Sequence, residues 1–276
     1  MRKEWMNPDT LEFSSRSDYV LYLKHLKAYE TVLERVDGQR VLEIGCGSGY
    51  GSRMLAERAE QVTTVDLDQD SLDYAQEHNA RPNIRYLNAD VLEGISLEDD
   101  SFDVAVIFQV IEHIEPRQAT AFLLEIQRLV KPGGWAFFTT PNKKTRLLPF
   151  QKPVNPYHRI EYTARRLIGT LQRVFTTTEL LALRATDEIE AIERHRTRQS
   201  AFRVFIRNPI RRSVVRVAEV TGLESLERTL KERSVNYKAY QKPEPPAEPL
   251  SYRTDDFRYT GDDLDEAIDF LAICTV

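Results

Sequence analysis

The stretch Val41-Leu42-Glu43-Ile44-Gly45-Cys46-Gly47-Ser48-Gly49-Tyr50-Gly51 constrains this chain more than any other. A short apolar run passes directly into glycines at 45, 47 and 49, and a helical pattern follows. Glycine permits positive φ and lacks the Cβ that would hold a ligand off, while the N–H groups that open the next helix have no partner within it. A strand, a tight turn and a helix start built this way bring backbone close to a polar or anionic ligand. A dinucleotide fingerprint beginning at Gly45 would need glycine at 50, where Tyr50 stands.

The surrounding pattern repeats the same unit. Runs rich in β-branched residues at RVLEIG, QVTTVD and IRYLNAD alternate with helical stretches near 51–59 and 70–79. They continue with FDVAVIF at 102–108, a helix near 117–130 stopped by Lys131-Pro132-Gly133-Gly134, and WAFFTTPN at 135–142. This βαβ rhythm predicts a parallel sheet with helices on both faces. Upstream, Val20, Leu23, Leu26 and Leu33 suit an amphipathic helix over 19–36. Downstream lie a proline-bearing loop over 143–160, a helix at 163–173 and a strand at 176–185. Residues 192–235 read as helical and basic, KPEPPAEP at 242–249 as a linker, and the apolar end as one last strand. The expected organisation is a helical cap over 1–37, an α/β core over 38–185, a basic helical insertion or lid over 186–241, and a linker with the final strand over 242–276. The expected fold class is α/β: a doubly wound, mostly parallel sheet of seven strands with that insertion before the last one.

Composition narrows the function classes. In 276 residues there is room for one enlarged domain rather than two. Charged residues make up 29%, no apolar run approaches the roughly 18 residues of a membrane span, and the first residues lack the apolar core of a secretory signal. With only Cys46 and Cys274, a reducing cytoplasm is the expected location. A net charge of -5 gives no global reason to bind nucleic acid. One local exception is 192–216, where eight arginines face the single acid Glu193. Such a segment suits contact with an anionic acceptor or a membrane surface.

Further signals end successive strands. Asp66 closes QVTTVD, where a carboxylate accepts from ribose hydroxyls, with Leu67 beside it as an apolar surface for a base. Asp90 and Ala89 close the third strand, and Gln109 follows the fourth. The ordered set, Glu43-x-Gly45-x-Gly47-x-Gly49 above all, resembles the class I S-adenosylmethionine-dependent methyltransferases, whose first motif is E/DxGxGxG. The resemblance covers residues 38–142 and implies a bound S-adenosylmethionine. It places Glu43, Gly45, Cys46, Gly47, Gly49, Asp66 and Leu67 at the cofactor, with Ala89 and Asp90 at the adenine and Gln109 at the methionine part. Cys46 belongs to this backbone turn and is not expected to act as a nucleophile.

A sulfonium methyl is already activated, so alignment and exclusion of water are the main requirements, and a hydroxyl acceptor adds the need for a base. Of the five histidines, His113 follows the fourth strand and His158 lies in NPYHRIEYT, which looks like the NPxHxxEYT segment of many relatives. These two are the catalytic candidates. Some relatives that methylate quinone precursors or RNA 2′-hydroxyls carry ExxEH and bind a divalent metal. Here Gln109 replaces the first carboxylate, and no metal is expected. The resemblance implies O-methylation of a small molecule or glycan, with an anionic or lipid-linked acceptor and peripheral membrane contact as further options and nucleic acid not expected. Quinone or other aromatic O-methylation, and an inactive cofactor-binding regulator, are the alternatives.

Overall fold

The computed structural model describes residues 15–147, 151–153, 155–202 and 251–276. The first helix, α1 (Arg16–Val36), starts where Ser15 accepts from the Asp18 N–H, and it buries Val20, Leu23, Ala28, Tyr29, Val32 and Val36. Five strand units follow: β1 (Arg40–Ile44), α2 (Tyr50–Ala56), β2 (Gln61–Asp66), α3 (Gln69–His78), β3 (Ile84–Asn88), β4 (Phe102–Phe108), α4 (Ala119–Leu129) and β5 (Val130–Pro141). After β5 come α5 (Lys143–Arg146), α6 (Ala164–Leu171), β6 (Thr177–Ala185), α7 (Asp187–Phe202), β7 (Phe257–Thr260) and β8 (Asp269–Thr275).

The strands form one sheet in the order β3-β2-β1-β4-β5-β8-β6-β7. β1 to β5 are mutually parallel, whereas β8 runs antiparallel between β5 and β6, and β7 pairs antiparallel with β6. The α/β fold class therefore holds, with eight strands in place of seven. The added strand is β7, four residues at the sheet edge whose Phe-Arg-Tyr-Thr carries no long apolar run to mark it. The order reverses at β1 and β4, which opens a crevice outside their carboxyl ends.

Both faces of the sheet are covered, so the central strands are apolar on both sides. Leu42, Ile44, Ala105, Ile107 and Phe138 pack beneath α4 and α6, whereas Val41, Val104, Val106 and Phe137 pack beneath α1 and α2. Of the basic segment, α7 reaches Phe202, and within it Arg194 pairs with Glu190 and Arg196 with Glu193. Arg194 thus has a partner just before the 192–216 stretch, and Arg196 takes the single acid inside it. The rest of that segment and the proline-rich linker lie outside the described residues. Among the described residues no helix is long and apolar enough to cross a membrane.

Phe138 has no exposed surface, whereas Leu124 on α4 is 50% exposed. Phe138→Ala is expected to cost about 3–5 kcal/mol in chemical denaturation, and Leu124→Ala less than about 0.5 kcal/mol. Equal effects would contradict this placement of the core.

Candidate active site

The crevice is a cavity of about 980 Å³ that runs from the ends of β2 and β3, past the glycine turn, to the segments after β4 and β5. Gly45, Cys46, Gly47, Asp66, Leu67, Ala89, Asp90, Gln109, His113 and His158 all line it. Residues far apart in the chain are thus gathered at one surface.

The glycine turn is fixed by backbone bonds: the Gly45 N–H donates to the Val65 carbonyl at 2.8 Å, and the Gly47 N–H to Asp66 Oδ2 at 3.2 Å. Gly45 has φ +81°, and a Cβ there would fall 2.5 Å from Val110 Cγ2. Asp66 Oδ1 accepts from the Asp68 N–H at 2.9 Å. Each Asp66 oxygen has one backbone donor, Oδ2 also takes a long bond from the Cys46 thiol at 3.8 Å, and the carboxylate keeps lone-pair capacity for a ribose diol. Burial raises its pKa, with the two backbone donors opposing that shift. Leu67 is 69% exposed at the crevice, an apolar surface open to a planar base. Asp90 caps a short 3-10 turn through the Leu92 N–H.

Two expected cofactor residues lie behind the crevice wall. Glu43 is 1% exposed, and its carboxylate accepts from Tyr29 Oη at 2.8 Å, from Thr64 Oγ1 at 3.0 Å and from the Ser52 hydroxyl. Gly49 caps α2 with φ +83°, and a Cβ there would overlap Ala75. Neither residue lines the cavity. Their effect on a ligand passes through the turn they hold. Cys46 is buried, and burial beside Glu43 and Asp66 pushes its thiol pKa far up, so the thiolate that a nucleophile needs is disfavoured.

At the opposite end, the 3-10 turn Ile111–His113 is clasped by the segment after β5, because the Glu112 carbonyl accepts from both the Arg159 and Ile160 N–H groups. This brings the His113 and His158 rings edge to face, 4.8 Å between centroids. His158 Nδ1 lies 3.3 Å from Glu161 Oε1. Burial, with the charge of His158 next in weight, drops the His113 pKa to about 4. Between them, fully buried Glu112 has no hydrogen-bond partner for either carboxylate oxygen, and burial pushes its pKa up to about 7. Glu112, His113 and His158 offer ligand atoms all within 4.8 Å of one another. These donor types and the orphan oxygens fit a divalent cation, which when bound would polarise an acceptor hydroxyl. Gln109 is not part of that group; its amide donates to Thr139 and Asp269.

Sequence reasoning did not single out the residues that α1, α5 and β8 bring to the crevice: Lys24, His25, Tyr29, Arg146 and Asp269. No local motif marks them. Arg146 is mostly buried, and its ion pair with Glu161 is loose at 3.7 Å.

A doubly wound α/β fold with a nucleoside-sized crevice at its switch point, floored by glycines and holding an acid at the end of β2, defines a nucleotide-type cofactor site. Residues 41–134 match the family described as "Methyltransferase domain". A probable S-adenosylmethionine-dependent methyltransferase of Mycolicibacterium smegmatis is 35% identical over 151 residues, 55% of this chain and 57% of that protein. A ubiquinone biosynthesis O-methyltransferase of Albidiferax ferrireducens is 37% identical over 114 residues, 40% of this chain and 44% of that protein. The chain spans about half the length of the curated relatives it matches. Among solved structures, the PH0226 protein of Pyrococcus horikoshii shares the fold with a TM-score of 0.50 and 20% identity, over 66% of this chain and 94% of that one. The [4+2]-cyclase SpnF does so with a TM-score of 0.50 and 17% identity, over 90% of this chain and 79% of that one. Over residues 41–134 the chain therefore carries a methyltransferase domain, similar to that of the S-adenosylmethionine-dependent methyltransferases.

The raised Glu112 pKa has a consequence for stability. The folded protein holds this proton until about pH 7, whereas the unfolded chain releases it near 4.5, so stability falls as pH rises between these values and the loss is complete above them. The difference amounts to about 3 kcal/mol. In denaturation experiments Glu112→Gln should gain on the wild type by about that much from pH 4.5 to 7.5. A constant gap across the range would show that Glu112 is not held neutral by burial.

Proposed function

We propose that this protein transfers the methyl group of S-adenosylmethionine to a hydroxyl oxygen of a small-molecule or glycan acceptor. One observation carries the reading: a single crevice joins Asp66 and the glycine turn to the His113–His158 pair. Leu67, Ala89, Asp90 and Asp66 would hold the adenosine half, and Gly45 and Gln109 would flank the sulfonium. The acceptor enters from the histidine side and attacks the methyl carbon in line with the carbon–sulfur bond. That bond breaks as the oxygen–carbon bond forms, and the sulfur keeps the electron pair.

The hydroxyl proton then needs a recipient. His158 takes this role, since the Glu161 carboxylate at its Nδ1 stabilises the imidazolium that forms. His113, with its pKa near 4, stays neutral and orients the acceptor. Arg146 suits an acceptor that carries an anionic group. Oxygen as the target is favoured by the ubiquinone biosynthesis O-methyltransferase relative, and an aromatic acceptor of that kind is the second reading. The fold alone does not fix the chemistry, since a [4+2]-cyclase shares it. Both cysteines are free and buried, which favours the reducing cytoplasm as the place of action.

Calorimetry and turnover separate the two halves of this reading. Asp66→Ala should weaken S-adenosylmethionine and its demethylated product alike, by roughly 10- to 150-fold. His158→Ala should leave those affinities unchanged and lower turnover about 100-fold or more. Unchanged affinity in the first variant removes the cofactor assignment. Full turnover in the second removes the base.

A further inference from the structure

Lys24 on α1 and Asp269 on β8 form a buried ion pair between the first helix and the last strand. The Lys24 ammonium lies 3.0 and 2.9 Å from the two carboxylate oxygens, and the side chains are 2% and 3% exposed. Such a pair is a poor source of stability, because desolvating two charges offsets most of their attraction and apolar replacements often serve as well. Its position suggests another role. Both residues line the crevice, and Asp269 Oδ2 also accepts from Gln109 Nε2 at 3.0 Å.

Gln109 stands at the end of β4 with φ +57°, a conformation that non-glycine residues rarely adopt. Its amide nitrogen has two hydrogens, and both are committed: one to Asp269 Oδ2, the other to Thr139 Oγ1 at 3.2 Å. An ammonium has only N–H to give, so Lys24 uses both Asp269 oxygens as acceptors. The carboxylate in turn accepts only, so it selects the amide rotamer that points Nε2 toward itself. Oε1 then has no protein donor among the described residues and is left to the crevice.

We propose that the Lys24–Asp269 pair is a positioning device for the amino-acid end of the cofactor, fixing the Gln109 amide so that Oε1 accepts an N–H from the cofactor's ammonium. The opposite rotamer would turn two N–H groups toward that cation. The inference rests on the cofactor reading above and adds to it two residues that lie outside every motif of the domain.

The test compares two ligands with the same nucleoside and sulfur. S-adenosylhomocysteine carries the amino-acid end, and 5′-methylthioadenosine lacks it. In Asp269→Asn the new amide gives its oxygen to Lys24 and its NH₂ to Gln109, which reverses the Gln109 rotamer. Affinity for S-adenosylhomocysteine should fall about tenfold or more, the usual cost of losing a hydrogen bond to a charged group. Affinity for 5′-methylthioadenosine should change less than about twofold, since none of its hydrogen bonds is lost. The double variant Lys24→Met/Asp269→Leu replaces the pair with apolar groups, is expected to melt near the wild-type temperature, and should show the same selective loss. Unchanged affinity for both ligands in a folded variant overturns the proposal, as does an equal loss for both, which a merely structural pair would give. If the wild type binds neither ligand, the cofactor reading itself fails and takes this inference with it.

Discussion

Glu43 is the interaction on which the crevice depends. A carboxylate buried this deeply is costly unless its lone pairs are met, and here Tyr29 from α1, Ser52 from α2 and Thr64 from β2 all donate to it. Burial still pushes its pKa up against those three hydrogen bonds. The effect is to tie two helices and two strands together directly beneath the glycine turn. Close packing completes the joint: a Cβ on Gly51 would fall 2.1 Å from the Tyr29 ring, so α1 and α2 meet at a distance that only glycine allows. A rigid floor of this kind keeps the free backbone groups of the turn aimed at one place, which binding without reorganisation requires.

The two ends of the crevice then differ in chemistry. At Asp66 the donors are two backbone N–H groups and, at longer range, the Cys46 thiol, and the carboxylate is left with lone-pair capacity suited to a diol. At the other end, titratable side chains crowd together, with Glu112 raised to about 7 and His113 lowered to about 4. Burial drives both shifts, in opposite directions because it disfavours whichever form is charged. Perturbed groups of this sort, in a cleft and beside a methyl donor's expected position, are where proton transfer is most economically placed.

The core of the fold was legible in the sequence because β1, β2, β4 and β5 are buried on both faces and leave apolar runs between helical patterns. The Asp66 end was legible for a related reason: its residues follow their strands at once, so strand order places them. The edge strand β7 left no such run, since Phe-Arg-Tyr-Thr alternates too briefly to register. Glu43 was read as a cofactor residue because its spacing from the glycines is visible, whereas the side of the strand on which its carboxylate finds donors is not. Lys24 and Asp269 were invisible for a plainer reason. Their meaning lies in a contact across 245 positions of sequence, and a lysine on an amphipathic helix ordinarily reads as solvated.

In the proposed reading the cofactor crosses the carboxyl ends of β2, β1 and β4, with its two ends held by different elements. A crystal structure of the protein with S-adenosylhomocysteine tests this most directly. It should show the ribose hydroxyls on Asp66, the adenine against Leu67 beside Ala89 and Asp90, and the sulfur between Gly45 and Gln109 with open space toward His158. A ribose bonded elsewhere, or a sulfur turned away from the His113–His158 pair, would contradict the account.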